Sequence, residues 1–233
     1  MSAGNHTEER SNLHPLSRAW EYQGEYYSQT RLDLIGEVKG KDLKILDIGC
    51  GAGETGDRLL KSGIAAEVVG VELEKTVAAV AETKLSRVFC LNIEDCARDF
   101  FGPDFDVILC GDVLEHTQFP VDVLTTLKGW LRPEGRIVVS IPNVRFVPVV
   151  DSLVRRGRWT YERDGVMDRG HLRFFTRRSA EEMLKSSSLR IESVRPVYCG
   201  RRWSYIGFLL GRWGWEWTAQ RFIMVGAKPC SDS

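Results

Sequence analysis

The chain predicts an α/β fold: a seven-stranded, mostly parallel sheet with helices on both faces and an antiparallel strand pair at its C-terminal end. Three observations carry this. Over residues 43–141 short apolar runs alternate with helical patterns, and strands that alternate with helices pair in parallel through right-handed crossovers. A glycine cluster, Gly49-Cys50-Gly51-Ala52-Gly53, stands where the first apolar run meets the first helical pattern. Two further β runs, 190–199 and 221–228, come after the last crossover helix and read as an antiparallel edge pair.

Taken in order, apolar residues at helical spacing over 16–38 predict one or two helices ahead of the sheet. Strands are then expected over 43–48, 68–72, 87–91, 105–110 and 136–141, with helices over 54–61, 75–84 and 121–131 between them. Pro133-Glu134-Gly135 is a turn signal before the fifth strand, and Pro142 stops that strand's ladder. Residues 143–176 break the alternation and read as a helix and loop inserted after the fifth strand, followed by a helix over 178–186. A structureless run of that length in a small domain is usually either functional or disordered, and this one is assigned as a lid over an acceptor.

A chain of 233 residues with 43% hydrophobic content suits one well-buried domain, taken as residues 15–233. Residues 1–14 are polar, read as a flexible tail, and show no signal-peptide core. With no spanning-length apolar stretch either, a cytoplasmic location is expected. Zero formal net charge argues against general nucleic-acid binding, although Arg155, Arg156 and Arg158 form a local basic patch. The six cysteines lack a C-x-x-C pair and read as buried thiols, with Cys50, Cys90 and Cys110 at or beside strand ends.

The glycine turn lets a ligand lie against the main chain at a helix N-terminus. Gly51, Gly53 and Gly56 also satisfy a dinucleotide spacing, with Glu72 near the offset of a ribose-binding acid. Asp47 and Glu54 flank the turn, however, and two like charges about 4 Å apart repel by roughly 4 kcal/mol at an effective dielectric of 20. A diphosphate is therefore disfavoured, and a cationic cofactor with no phosphate is favoured.

Leu46-Asp47-Ile48-Gly49-Cys50-Gly51-Ala52-Gly53 resembles the first motif of the class I S-adenosylmethionine (SAM)-dependent methyltransferases, and Gly111-Asp112-Val113-Leu114-Glu115-His116 resembles their fourth. Ser140-Ile141-Pro142-Asn143-Val144 and His171-Leu172-Arg173-Phe174-Phe175-Thr176 look like a branch associated with glycan and polysaccharide biosynthesis, with ubiquinone-type methyltransferases as more distant relatives. The resemblance implies a Rossmann-like fold and SAM as cofactor. It places Tyr27 and Arg31 in a cap over the cofactor, and Asp47, Gly49, Cys50, Gly51 and Gly53 at the turn. Glu72 and Leu73 fall at the ribose, Asn92, Ile93 and Glu94 beside the adenine, and Gly111 and Asp112 at the reacting edge. Asn92 departs from the aspartate usual in the family, which weakens the expected adenine contact.

His116 and His171 are both candidates for the general base toward a hydroxyl of a small-molecule or glycan acceptor, and Glu115 lies at the same edge. No metal ligands are assigned; Asp112 and Asn143 are the only suggestive oxygen pair. The Trp-rich stretch 203–217 can cover an apolar acceptor, meet a membrane interface, form a dimer contact or pack within the domain. The rival functions are a SAM-binding regulatory or assembly subunit without transfer, and an NAD-linked oxidoreductase, the latter disfavoured by Asp47, Glu54 and the terminal strand pair.

Overall fold

Ile45 and Leu46 are adjacent and both fully buried because β1, Leu43–Ile48, runs through the middle of a sheet covered on both faces. Successive side chains point to opposite faces, so Ile45 joins a cluster with Leu34, Leu59, Val68 and Leu109, while Leu46 joins one with Ile108, Leu124, Leu127 and Trp130. In this computed structural model, which describes residues 29–229, the sheet order is β3-β2-β1-β4-β5-β7-β6. The other strands are β2 (Ala65–Glu72), β3 (Arg87–Cys90), β4 (Phe105–Gly111), β5 (Leu131–Pro142), β6 (Arg190–Val197) and β7 (Arg221–Ala227). Every pairing among β1 to β5 is parallel, and β7 runs antiparallel between β5 and β6. The expected seven-stranded sheet with its antiparallel pair is the one observed.

Helices α1 (Leu32–Ile35), α2 (Glu54–Lys61), α3 (Lys75–Ala81), α4 (Pro120–Trp130), α5 (Val147–Arg156), α6 (Arg177–Ser186) and α7 (Gly200–Thr218) complete the described elements. Several boundaries differ from expectation. β2 starts at Ala65 and α3 stops at Ala81. Pro133-Glu134-Gly135 lies inside β5 as an irregularity: Leu131 pairs with Phe105 and Arg136 with Val107, and Glu134 takes a φ of 64° to absorb the extra residues. Cys50 and Cys110 are buried as expected, whereas Cys90 and Cys199 are exposed. Cys90 escapes burial because β3 is the edge of the sheet. The expected N-terminal helices appear within the described residues only as the single turn of α1; the tail, Tyr26 and Tyr27 lie outside them.

The Trp-rich stretch folds as a helical hairpin between β6 and β7. Helix α7 is broken at Gly211, whose φ of 58° and ψ of −151° are open to glycine and strained for other residues. Its base packs inward: Gly207 is buried so closely that an added Cβ would stand 2.5 Å from the Tyr198 ring, and Trp203 meets Phe146 edge-on. The tip does not, with Phe208 81% and Trp213 68% exposed. Among the described residues, no helix is long and apolar enough to cross a membrane.

Asn143, fully buried at the end of β5, ties this hairpin to the sheet. Its Nδ2 donates to the carbonyls of Glu216 (3.1 Å) and Ala219 (2.9 Å), while its Oδ1 accepts from the Arg145 amide at 3.1 Å. Truncation leaves buried carbonyls unpaired, so Asn143→Ala is expected to cost about 1–3 kcal/mol in urea denaturation. Hydrogen exchange across 203–217 should quicken with it. Unchanged stability and exchange would remove Asn143 as the anchor.

Candidate active site

The C-terminal ends of β1, β2 and β4 form one edge, where ligands of open parallel sheets bind. After β1 the chain turns through Gly49, Gly51 and Gly53 at φ of 67°, 55° and 84°, all in the left-handed region. A Cβ at Gly49 would meet Val113 at 2.7 Å, so this turn also needs glycine for space. The amides of Gly49 and Cys50 donate to the Val71 carbonyl at 2.8 and 3.1 Å, and that of Gly53 to the Cys50 carbonyl. The Gly51 amide donates to Glu72 Oε2 at 3.0 Å, and Glu72 Oε1 accepts from the Leu73 and Glu74 amides. Burial raises the Glu72 carboxyl, and those three amides pull it partly back.

Asp47 sits beneath the turn, with Oδ2 buried and without a hydrogen-bond partner among the described residues. Burial pushes its carboxyl up to about 7; Arg31 opposes that shift and Glu72 adds to it. The pairing of these acids with a glycine turn whose amides are already engaged is chemically specific. Such a site offers carboxylate and carbonyl oxygens to a cationic donor and leaves the four amides of Gly49, Cys50, Gly51 and Gly53 unavailable to a phosphate.

Asp112 holds the next corner. At a φ of 56°, its carboxylate accepts from Ser140 Oγ (2.6 Å), Arg31 Nη1 (2.7 Å) and Arg221 Nη1 (2.9 Å). Burial alone would raise the Asp112 carboxyl, but the two guanidinium groups outweigh it and hold it below the usual range. Arg31, expected at the cofactor, is also bonded to Asp33 and Ser140. Gly111 packs below Arg31, since a Cβ there would meet Leu34 at 2.6 Å and Arg31 at 3.2 Å. Ser140, Asp33 and Arg221 were not singled out from the sequence. The antiparallel register that sets Arg221 opposite Pro142 is what delivers it.

On the expected adenine side, Ile93 is buried and Leu73 is exposed. Asn92 Oδ1 caps the short turn Ile93–Asp95 by accepting from the Glu94 amide, and Glu94 Oε1 accepts from the Gln118 and Phe119 amides. Both side chains therefore brace the loops around this edge.

The 3₁₀ turn Leu114–His116 follows β4, and the inserted segment folds back onto it: the Leu172 and Arg173 amides donate to the Glu115 carbonyl at 2.8 and 3.0 Å. That contact brings His171 beside His116, with ring centroids 4.8 Å apart. His116 Nδ1 lies 3.0 Å from the Gly170 carbonyl, and His171 Nδ1 lies 3.1 Å from that of Val166. Burial, then the neighbouring His116, lowers the His171 pKa. Glu115 is 1% exposed and neither carboxylate oxygen has a hydrogen bond. The oxygen pair suggested by the sequence does not assemble, because Asp112 is saturated by its cations and Asn143 by the backbone.

Beside this cluster, the inserted segment encloses a cavity of about 190 Å³ lined by Phe146, Trp159, Val166 and Met167 together with Arg158 and Glu162. Val166 both lines the cavity and receives the His171 ring.

The family model described as "Methyltransferase domain" matches residues 19–194. A ubiquinone biosynthesis O-methyltransferase of Aeromonas salmonicida is 32% identical over 139 residues, covering 54% of this chain and 58% of that protein. The mitochondrial ubiquinone biosynthesis O-methyltransferase of Schizosaccharomyces pombe is 34% identical over 139 residues, 52% of this chain and 49% of that one. The chain thus spans about half the length of the curated relatives it matches. A SAM-dependent methyltransferase structure from Archaeoglobus fulgidus superposes with a TM-score of 0.64 at 15% identity, covering 90% of this chain and 99% of that one, and so shares the fold.

Asp112→Asn removes the charge that faces two half-buried guanidinium groups and is expected to cost about 1.5–3 kcal/mol. Because the folded Asp112 pKa is depressed, its contribution is present above the unfolded value of about 3.9 and is lost as pH falls through the lower folded value. Stability curves of the two proteins should therefore converge in acid. A constant gap from neutral pH to acid would contradict this account of Asp112.

Proposed function

The chain belongs to the methyltransferase-domain family, and from that premise we propose that it transfers a methyl group from SAM to a hydroxyl of a small acceptor, with a sugar-containing molecule as the favoured class. The observation that carries the reading is the backbone docking of the inserted segment on the Leu114–His116 turn, which sets His116, His171 and Glu115 together at the edge where the glycine turn also lies. The ubiquinone biosynthesis relatives are named as O-methyltransferases, which supports a hydroxyl. The cavity walled by Trp159 and Phe146, with Arg158 and Glu162 at its margin, suits a sugar, whose C–H face packs on aromatic rings and whose hydroxyls need polar partners.

When bound, SAM supplies an electrophilic methyl on a sulfonium, and the sulfur leaves neutral as the acceptor oxygen takes the carbon. The Asp47 carboxylate and the glycine-turn carbonyls would hold its ammonium, and Glu72 Oε2, which accepts from one amide only, would accept from a ribose hydroxyl. Arg31 closes this side by pinning α1 to Asp112. The inserted segment holds the acceptor oxygen in line, a positioning effect worth about 7–11 kcal/mol. The histidine cluster assists loss of the hydroxyl proton, worth roughly 10²–10⁴-fold. The exposed tip of the aromatic hairpin is assigned to contact with an apolar partner surface, a peripheral membrane face or a second protein, because Phe208, Leu209 and Trp213 are exposed among the described residues.

Glu72→Ala should weaken SAM binding by at least about tenfold, since a hydrogen bond to a charged acceptor is worth roughly 1.5–3 kcal/mol. Equal affinity in a folded variant, read by calorimetry, would end the ribose assignment. His116→Ala and His171→Ala should keep SAM affinity within about twofold while single-turnover rates fall by about 10²–10⁴-fold. Near-normal turnover in both variants would mean that positioning alone drives transfer.

A further inference from the structure

We propose that Glu115, His116 and His171 form a binding site for one first-row divalent transition-metal ion of the zinc or manganese class. The site rests on the functional reading above only for its role in catalysis; the coordination argument is independent of it. One donor atom from each of the three residues lies within 4.8 Å of the other two. His171 Nε2 stands 3.9 Å from Glu115 Oε1. That is too long for a hydrogen bond and slightly wider than the roughly 3.4 Å that separates tetrahedral ligands 2.0–2.1 Å from zinc. The imidazoles and the carboxylate must draw in from separations of up to 4.8 Å to close around an ion.

Two further features point to a cation rather than to a simple polar cluster. Each histidine sets Nδ1 against a backbone carbonyl, Gly170 for His116 and Val166 for His171. A carbonyl only accepts, so Nδ1 carries the proton and Nε2 presents a bare lone pair. That outer hydrogen bond is the one that fixes the tautomer of metal-bound imidazoles. A Cβ at Gly170 would stand 3.1 Å from His116 Nδ1, so a side chain there would press on that ring. The second feature is Glu115, whose two oxygens are buried with no hydrogen-bond donor among the described residues. A buried acceptor without a partner is costly, and a metal ion supplies the missing partner. Asp112, three residues earlier, is not a ligand, since Arg31, Arg221 and Ser140 already use its oxygens.

The donor set of two imidazoles and one carboxylate selects the borderline first-row ions over magnesium or calcium, which take oxygen ligands. Three protein ligands leave a coordination position open, the pattern of a catalytic rather than a structural site. An acceptor hydroxyl occupying that position loses its proton to solvent as the metal–oxygen bond strengthens; the oxygen then attacks the methyl carbon, and the carbon–sulfur bond breaks with its electron pair kept by sulfur. The ion has a second consequence. Glu115 and His116 come from the turn after β4 and His171 from the inserted segment, so one ion clamps that segment onto the sheet edge.

The test uses the full chain, stripped with a chelator and titrated by calorimetry with zinc, manganese and magnesium chlorides in turn. One zinc or manganese ion per chain is expected, with magnesium at least tenfold weaker. Glu115→Gln, His116→Gln and His171→Gln should each weaken zinc binding by at least about 100-fold. A thermal melt on each variant confirms that it is folded, and the metal should slow proteolysis within 143–176 in the parent chain only. No stoichiometric ion, magnesium as the preferred ion, or affinity unchanged in all three variants overturns the site. The site and the methyl-transfer reading fail separately. Ion binding without turnover leaves the site standing and removes the transfer reading. Turnover that depends on His116 and His171 but is indifferent to chelation, in a chain that binds no ion, removes the metal and keeps the cluster.

Discussion

A half-buried carboxylate facing two guanidinium groups is the constraint on which the candidate site depends. Asp112 sits at the end of β4, and its charge is tolerable there only because Arg31 reaches it from before the sheet and Arg221 from the first residue of β7. Residues distant in the chain are thereby held at one point: the α1 turn, the β4 edge, Ser140 of β5 and the antiparallel β7. The left-handed backbone at Asp112 then turns the chain into Leu114–His116, which presents Glu115 and His116 to the inserted segment. Without this charge balance the α1 turn and the Leu114–His116 turn lose the same support.

The selectivity of the glycine turn has a different physical basis from the one that sequence charges suggest. Glu54 does not stand as a free repulsive charge, because Lys84 Nζ binds it at 2.7 Å. Asp47 is also more easily protonated than an exposed acid, through burial and its neighbour Glu72. What disfavours a diphosphate is the occupation of the turn's amides, by Val71, Cys50 and Glu72. In their place the site offers an orphaned carboxylate oxygen and carbonyls, which suit an ammonium. The conclusion drawn from charge survives, and the mechanism is hydrogen-bond accounting.

The sheet was legible because its strands are apolar on both faces and punctuated by glycine and proline: residues 43–48 and 54–61 fold with the expected bounds. The β5 irregularity was hidden, since a bulge depends on the partner strand's register and not on local pattern. His116 and His171 were each visible as chemistry-bearing residues, yet their contact was not, for it is made by backbone bonds between residues 57 and 58 positions apart, Glu115 with Leu172 and Arg173. Glu115 looked like one more acid at a strand end, and only its burial without a donor distinguishes it. Of the readings of the Trp-rich stretch, packing within the domain holds for its base, and the tip is exposed.

Cofactor choice is the claim on which the remainder turns, and separate calorimetric titrations of SAM and NAD into the full chain test it most directly. SAM should bind one to one, and NAD should give only heat of dilution at the same concentrations. Saturable NAD binding, or no SAM binding in a folded sample, would contradict the account.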